Sequence, residues 1–75
     1  MKKIYKQRLE YVASLPCCIC GDFPIEVHHI RLLGEKRNHM KTIPLCVLHH
    51  RGRKGIHYLG KKEWRRRYGH ETDFL

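Results

Sequence analysis

The stretch Pro44-Leu45-Cys46-Val47-Leu48-His49-His50 sets a cysteine and a histidine at C-x2-H spacing and adds a second histidine directly after them. Upstream, Cys17 and Cys20 stand at C-x2-C spacing. Two such pairs make a four-ligand set, and structural zinc is held by a closed tetrahedron of thiolate and imidazole. Between the pairs lies Val27-His28-His29-Ile30, two histidines bracketed by β-branched residues. His28, His29, His50 and His57 therefore remain beside a knot already complete with Cys17, Cys20, Cys46 and His49. A closed zinc site has no need of them. The pattern reads as one zinc-stapled scaffold that holds a second, open metal site. Two alternatives stand for the knot: Cys18 with Cys20 as the thiolate pair, and His50 in place of His49.

A chain of 75 residues is one small domain at most, spanning 1–75. A core of that size is marginal and needs a metal, disulfides or a partner. Three of the four cysteines, Cys17, Cys18 and Cys20, fall within four residues. That is a poor disulfide framework, because adjacent cysteines cannot bridge each other without strain. The charged N-terminus has no signal-peptide pattern, and no run approaches the ~20 apolar residues that span a bilayer. The expectation is a reducing, cytoplasmic setting, where this spacing means metal. Sixteen Lys and Arg against seven Asp and Glu give a formal charge of +9. Such an excess suits a polyanion, nucleic acid first and an acidic membrane surface second.

Residues 2–14 carry Tyr5, Leu9, Val12 and Ala13 at helical spacing, with Ile4, Tyr11 and Leu15 widening the apolar face. Pro16 stops that helix, since the residue before a proline avoids the helical region. Ile25–His28 and Thr42–Leu45 read as two short strands, the second marked by Pro44 as an edge or a strand end. Residues 31–41 read as a polar loop around Gly34. A helix begins near His49, and Gly52 and Gly55 shorten or split it. Residues 61–68 form a last helix with Trp64 and Tyr68 one turn apart, and Gly69 ends it. Core packing is the expected use of Trp64 and Tyr68. The fold class is small α+β, with a zinc knot and core over 17–57 flanked by a helix at each end.

The last third is strongly basic. Arg51, Arg53, Lys54, Lys61, Lys62, Arg65, Arg66 and Arg67 are eight of the 16 basic residues, set against the single acid Glu63. That density suits phosphate contacts, and nothing in it reads base edges, so little sequence preference is expected.

Cys-x2-Cys, His-His-Ile, Ile-Pro-Leu-Cys-x2-His-His and Gly-Ile-His follow one another over residues 16–75. In that order they resemble the HNH nucleases with a ββα-metal fold. The likeness extends to small phage-type members, including recombination-enhancement nucleases that depend on a recombinase filament. The resemblance implies a metal-dependent DNA endonuclease of a bacterial or phage-infected cell. His28 would be a ligand of the catalytic metal, His29 the general base, and His50 and His57 further ligands. Asn38 is the counterpart of the family's base-orienting asparagine, with His39 beside it as the rival. The spacing from His50 to His57 is longer than the family's.

The chemistry suits these residue types on its own terms. Phosphodiester hydrolysis needs a base to activate water and a cation on the leaving oxygen. Neutral imidazole serves as base near pH 7. The cofactors implied are structural Zn2+ and a catalytic divalent metal, Mg2+, Mn2+ or a transition metal. The implied partners are DNA and a recombinase filament or another phage replication or recombination protein. The alternative is a non-catalytic, zinc-ribbon-like nucleic-acid-binding module, which would have no use for His29.

Overall fold

The structure, a computed structural model, describes residues 2–31 and 36–75. Residues 32–35, the centre of the expected polar loop, lie outside the described residues. Helix α1 (Lys3–Ala13) is followed by strands β1 (Ile25–His29) and β2 (Thr42–Cys46). Helices α2 (Val47–His50), α3 (Ile56–Leu59) and α4 (Lys61–Tyr68) come next, and a 3-10 turn spans Glu71–Phe74. The chain is thus a small α+β protein with a two-stranded antiparallel sheet and surrounding helices.

The sheet pairs Ile25 with Cys46, Val27 with Pro44 and His29 with Thr42. A lone two-stranded sheet is marginal in water. Here all five residues of β2 are buried, and α1 packs on both strands while α2 covers them elsewhere. Pro44 contributes no ladder donor, but its carbonyl accepts from the Cys18 N–H at 3.0 Å, which ties the first cysteine loop to β2.

Helix α1 ends as its sequence dictates. Ser14 Oγ donates to the Tyr11 carbonyl at 2.6 Å, and Pro16 prevents another turn. Its apolar face is narrower than the periodicity suggests. Val12 is buried, whereas Ile4, Tyr11 and Ala13 are exposed. A short helix over a two-stranded sheet has only one ridge to bury. Beside that ridge Arg8 Nη2 donates to the Thr42 carbonyl at 3.0 Å.

The core gathers Ile30, Ile43, Leu45, Ile56 and Trp64 around Cys17 and Cys46. Trp64 is fully buried, and its indole N–H donates to the His49 carbonyl at 3.2 Å. Tyr68 and Phe74 pack against the indole with ring centroids 5.3 and 6.3 Å away. The aromatic face of α4 is therefore core. No helix among the described residues is long and apolar enough to cross a membrane.

Trp64→Ala should destabilise the protein by about 3–5 kcal/mol in urea unfolding. That is a large share of the roughly 4–11 kcal/mol typical of a 75-residue domain. Trp64→Phe, which keeps most of the volume but orphans the His49 carbonyl, should cost about 1–3 kcal/mol. A Trp64→Ala protein as stable as wild type would put the indole outside the core.

Candidate metal centres

The first centre is assembled from two turns. Gly21 has φ 78°, a left-handed conformation that glycine adopts without strain, and its N–H donates to the Cys17 carbonyl at 2.8 Å. That closes the loop that presents Cys17 and Cys20. Cys46 ends β2 and caps α2, whose third residue is His49. The ligand atoms of Cys17, Cys20, Cys46 and His49 all lie within 4.8 Å of one another. Cys20 Sγ is 3.7 Å from Cys46 Sγ, and Cys46 Sγ is 3.2 Å from His49 Nδ1. A zinc tetrahedron with thiolates at its usual distance has S···S edges of about 3.8 Å. The donor set and its spacing fit a structural metal such as zinc, and all four cysteines are free thiols.

The structure separates the alternatives. Cys18 is outside the group, and burial and then the neighbouring Cys17 push its thiol up to about 12, so it stays protonated. His49 joins the knot and His50 joins the second cluster. Burial, then Lys54, pushes the His49 imidazole below its ordinary value, which favours the neutral, ligating form. Its ring also meets Tyr68 of α4 edge-on at 5.5 Å.

His28, His50 and His57 form the second group, again with ligand atoms within 4.8 Å. His50 Nε2 lies 3.1 Å from His57 Nε2 across seven residues of sequence. Gly55 makes that spacing work. A Cβ there would stand 2.5 Å from the His50 carbonyl carbon and 2.6 Å from the Arg51 nitrogen, so only glycine lets α3 start against the end of α2. Burial, then His50 and His28, pushes the His57 imidazole down, again toward the neutral ligating form.

Two of these histidines are each hydrogen-bonded to a carboxylate. His28 Nε2 donates to Glu71 Oε2 at 3.0 Å, and His50 Nδ1 donates to Glu26 Oε1 at 2.9 Å. Arg65 and Arg51 in turn hold those carboxylates, Arg65 Nε at 2.8 Å from Glu71 Oε1 and Arg51 Nε at 3.1 Å from Glu26 Oε1. Burial pushes the Glu71 carboxyl up, but His28 and Arg65 outweigh it and hold it at about 2. Sequence reasoning missed both glutamates. Glu26 left a signal, because it stands two residues before His28 on a strand and so shares its face.

His29 sits beside this group and is not one of its members. Its Nε2 is 3.0 Å from His39 Nδ1, and Arg37 Nη2 donates to its Nδ1 at 3.4 Å. Nδ1 is therefore the unprotonated nitrogen, and Nε2–H donates to His39. Burial, followed by Arg37 and His39, pushes the imidazole down to about 4. Asn38 does not hold His29: its Oδ1 accepts from the Met40 N–H at 2.9 Å and shapes the turn before β2. His29 is instead held by His39, which Tyr5 of α1 backs at a ring separation of 5.6 Å. An open pocket of about 290 Å³ joins Val27, His28, His29, Arg31, Arg37, His50 and His57. Arg31 and Arg37 were not among the expected phosphate contacts.

The basic segment is less free than its composition suggests. Arg51 pairs with Glu26, Arg65 with Glu71, and both Arg66 and Arg67 with Glu63. Lys61 Nζ donates to the Arg31 carbonyl at 2.7 Å. Arg53, Lys54 and Lys62 are exposed and form no ion pair among the described residues. Compared with protein-family models, curated proteins and solved structures, the chain finds no match.

The knot makes a direct prediction, because metal binding and folding are coupled in domains of this size. The purified protein should hold one zinc per chain tightly. Cys46→Ser should lose it and unfold or aggregate, as read by metal analysis and circular dichroism. A folded, zinc-free Cys46→Ser protein would refute a structural role for the knot.

Proposed function

We propose that the protein is a metal-dependent DNA endonuclease of the HNH, ββα-metal kind, with little sequence preference. The observation that carries this reading is the pairing of His29 with the three-histidine cluster in one open pocket, apart from the four-ligand knot. A zinc-ribbon-like binding module needs the knot and the basic surface only.

In this reading the knot is structural and the pocket is the reaction site. His28, His50 and His57 would hold a divalent cation, which when bound supplies Lewis-acid stabilisation of charge on the phosphate and leaving oxygen. With Arg37 turned from His29 to a phosphate oxygen, His29 Nδ1 is free to take the proton from the attacking water. His39 accepts from His29 Nε2–H and so fixes the ring and the tautomer. Arg31 and Arg37 line the same pocket and offer guanidinium donors to phosphate oxygens. The three-imidazole donor set favours a transition metal by affinity, while magnesium with water and phosphate filling its shell suits the same pocket.

His29→Ala should lower cleavage of supercoiled plasmid by ~100- to 10,000-fold, the usual contribution of a general base, with folding and DNA affinity kept. His28→Ala and His50→Ala should also lose cleavage, but added metal should partly restore those two and not His29→Ala. Nearly full activity in His29→Ala would remove it as the base. A wild type that cleaves with none of magnesium, manganese, cobalt, nickel or zinc, yet binds DNA, would select the binding-module reading.

Binding has its own test. Among the described residues Arg66 and Arg67 are paired only with the half-exposed Glu63, and such surface pairs are worth ~0–1 kcal/mol, so phosphate can displace it. Changing both to alanine should reduce the slope of log affinity against log salt by up to about 1.8. Arg65 is left intact in this test because it holds Glu71. An unchanged slope would turn that face of α4 away from DNA.

A further inference from the structure

Glu71 is fully buried in the 3-10 turn at the end of the described chain, 43 residues from His28. A buried carboxylate is expensive unless it is paired and hydrogen-bonded. A turn that served only to cover Trp64 would be better filled by an apolar side chain, as Phe74 in the same turn does. Both oxygens of Glu71 are instead committed. Oε1 takes Arg65 twice, from Nε at 2.8 Å and Nη2 at 2.6 Å, and Oε2 takes His28. The carboxylate accepts, so Nε2 of His28 carries a proton, and in the neutral ring that metal binding requires Nδ1 is left with the lone pair. Glu26 plays a comparable part toward His50, but it is partly exposed and its arginine lies in solvent. Glu71 is the member of the two that solvent cannot replace.

We propose that Glu71, clamped by Arg65, is a positioning residue that holds His28 as an Nδ1 ligand and thereby couples the C-terminal turn to metal affinity at the second centre. The inference rests on the metal-centre reading above and adds its tuning. Partners of this kind fix the ring and raise the basicity of the ligating nitrogen, and losing one costs about 10- to 100-fold in metal affinity. Arg65 belongs to this arrangement and not to the phosphate-binding set.

The test is calorimetric titration of Ni2+ into the protein with its knot loaded with zinc. Glu71→Ala should weaken the second site about 10- to 100-fold while the knot keeps one zinc per chain. Glu71→Gln, whose amide oxygen can still accept from His28, should recover part of that loss. A long-range 1H–15N spectrum before nickel is added should show His28 as the Nε2–H tautomer in wild type and a mixture in Glu71→Ala. Should Glu71→Ala fail to fold, Glu71→Gln and the wild-type tautomer carry the test. A wild-type Nδ1–H tautomer, or unchanged nickel affinity in a folded Glu71 variant, would overturn the proposal alone. A wild type that takes up no ion beyond the knot's zinc would overturn the second centre along with it.

Discussion

The junction at Cys46 is the constraint on which the rest of the molecule depends. Cys46 closes the sheet and opens α2 in the same residue, and its thiol meets Cys20 from the first loop. His49 and His50 follow within one turn of helix. Consecutive residues on a helix are rotated by about 100°, so the two rings cannot serve one centre. His49 turns to the knot and His50 to the pocket. Any metal that fastens the knot therefore also sets the position of one histidine of the second group.

That economy matters in a chain this short. The core is a handful of side chains around Trp64, and the sheet is too small to stand alone. Structural zinc contributes on the order of 10 kcal/mol in small metal domains, about as much as the whole net stability of an ordinary one. Helix α4 reinforces the knot through the indole bond to the His49 carbonyl and the Tyr68 ring against the His49 imidazole. The second cluster is built on β1, α2 and α3, all of which the knot and its helix hold in place.

How much of this was legible follows the range of the interactions. The zinc spacing, α4 and both strands are local patterns, and each is found within a residue or so of where periodicity and turn residues put it. His57 was legible by residue type but not by spacing, because its place depends on a backbone approach at Gly55 that no ligand motif records. Asn38 was favoured for base orientation, and the structure uses it to shape a turn. His39, its neighbour, reaches His29 because that turn swings it toward β1. Glu71 had no local signal, since its meaning exists only once the end of the chain folds back onto β1.

Charge was the least legible property. The excess of +9 is real, yet four of the eight basic residues in 51–67 are paired with Glu26, Glu63 or Glu71. Those pairs differ in kind. Arg66 and Arg67 hold the half-exposed carboxylate of Glu63, where a phosphate can compete. Arg65 holds a carboxylate with no solvent access, and pulling it away would strand a buried charge beside His28. Adjacent arginines on one short helix thus divide between surface electrostatics and the support of a buried Glu71–His28 pair. Burial of the partner, which the sequence does not display, decides which arginine does which.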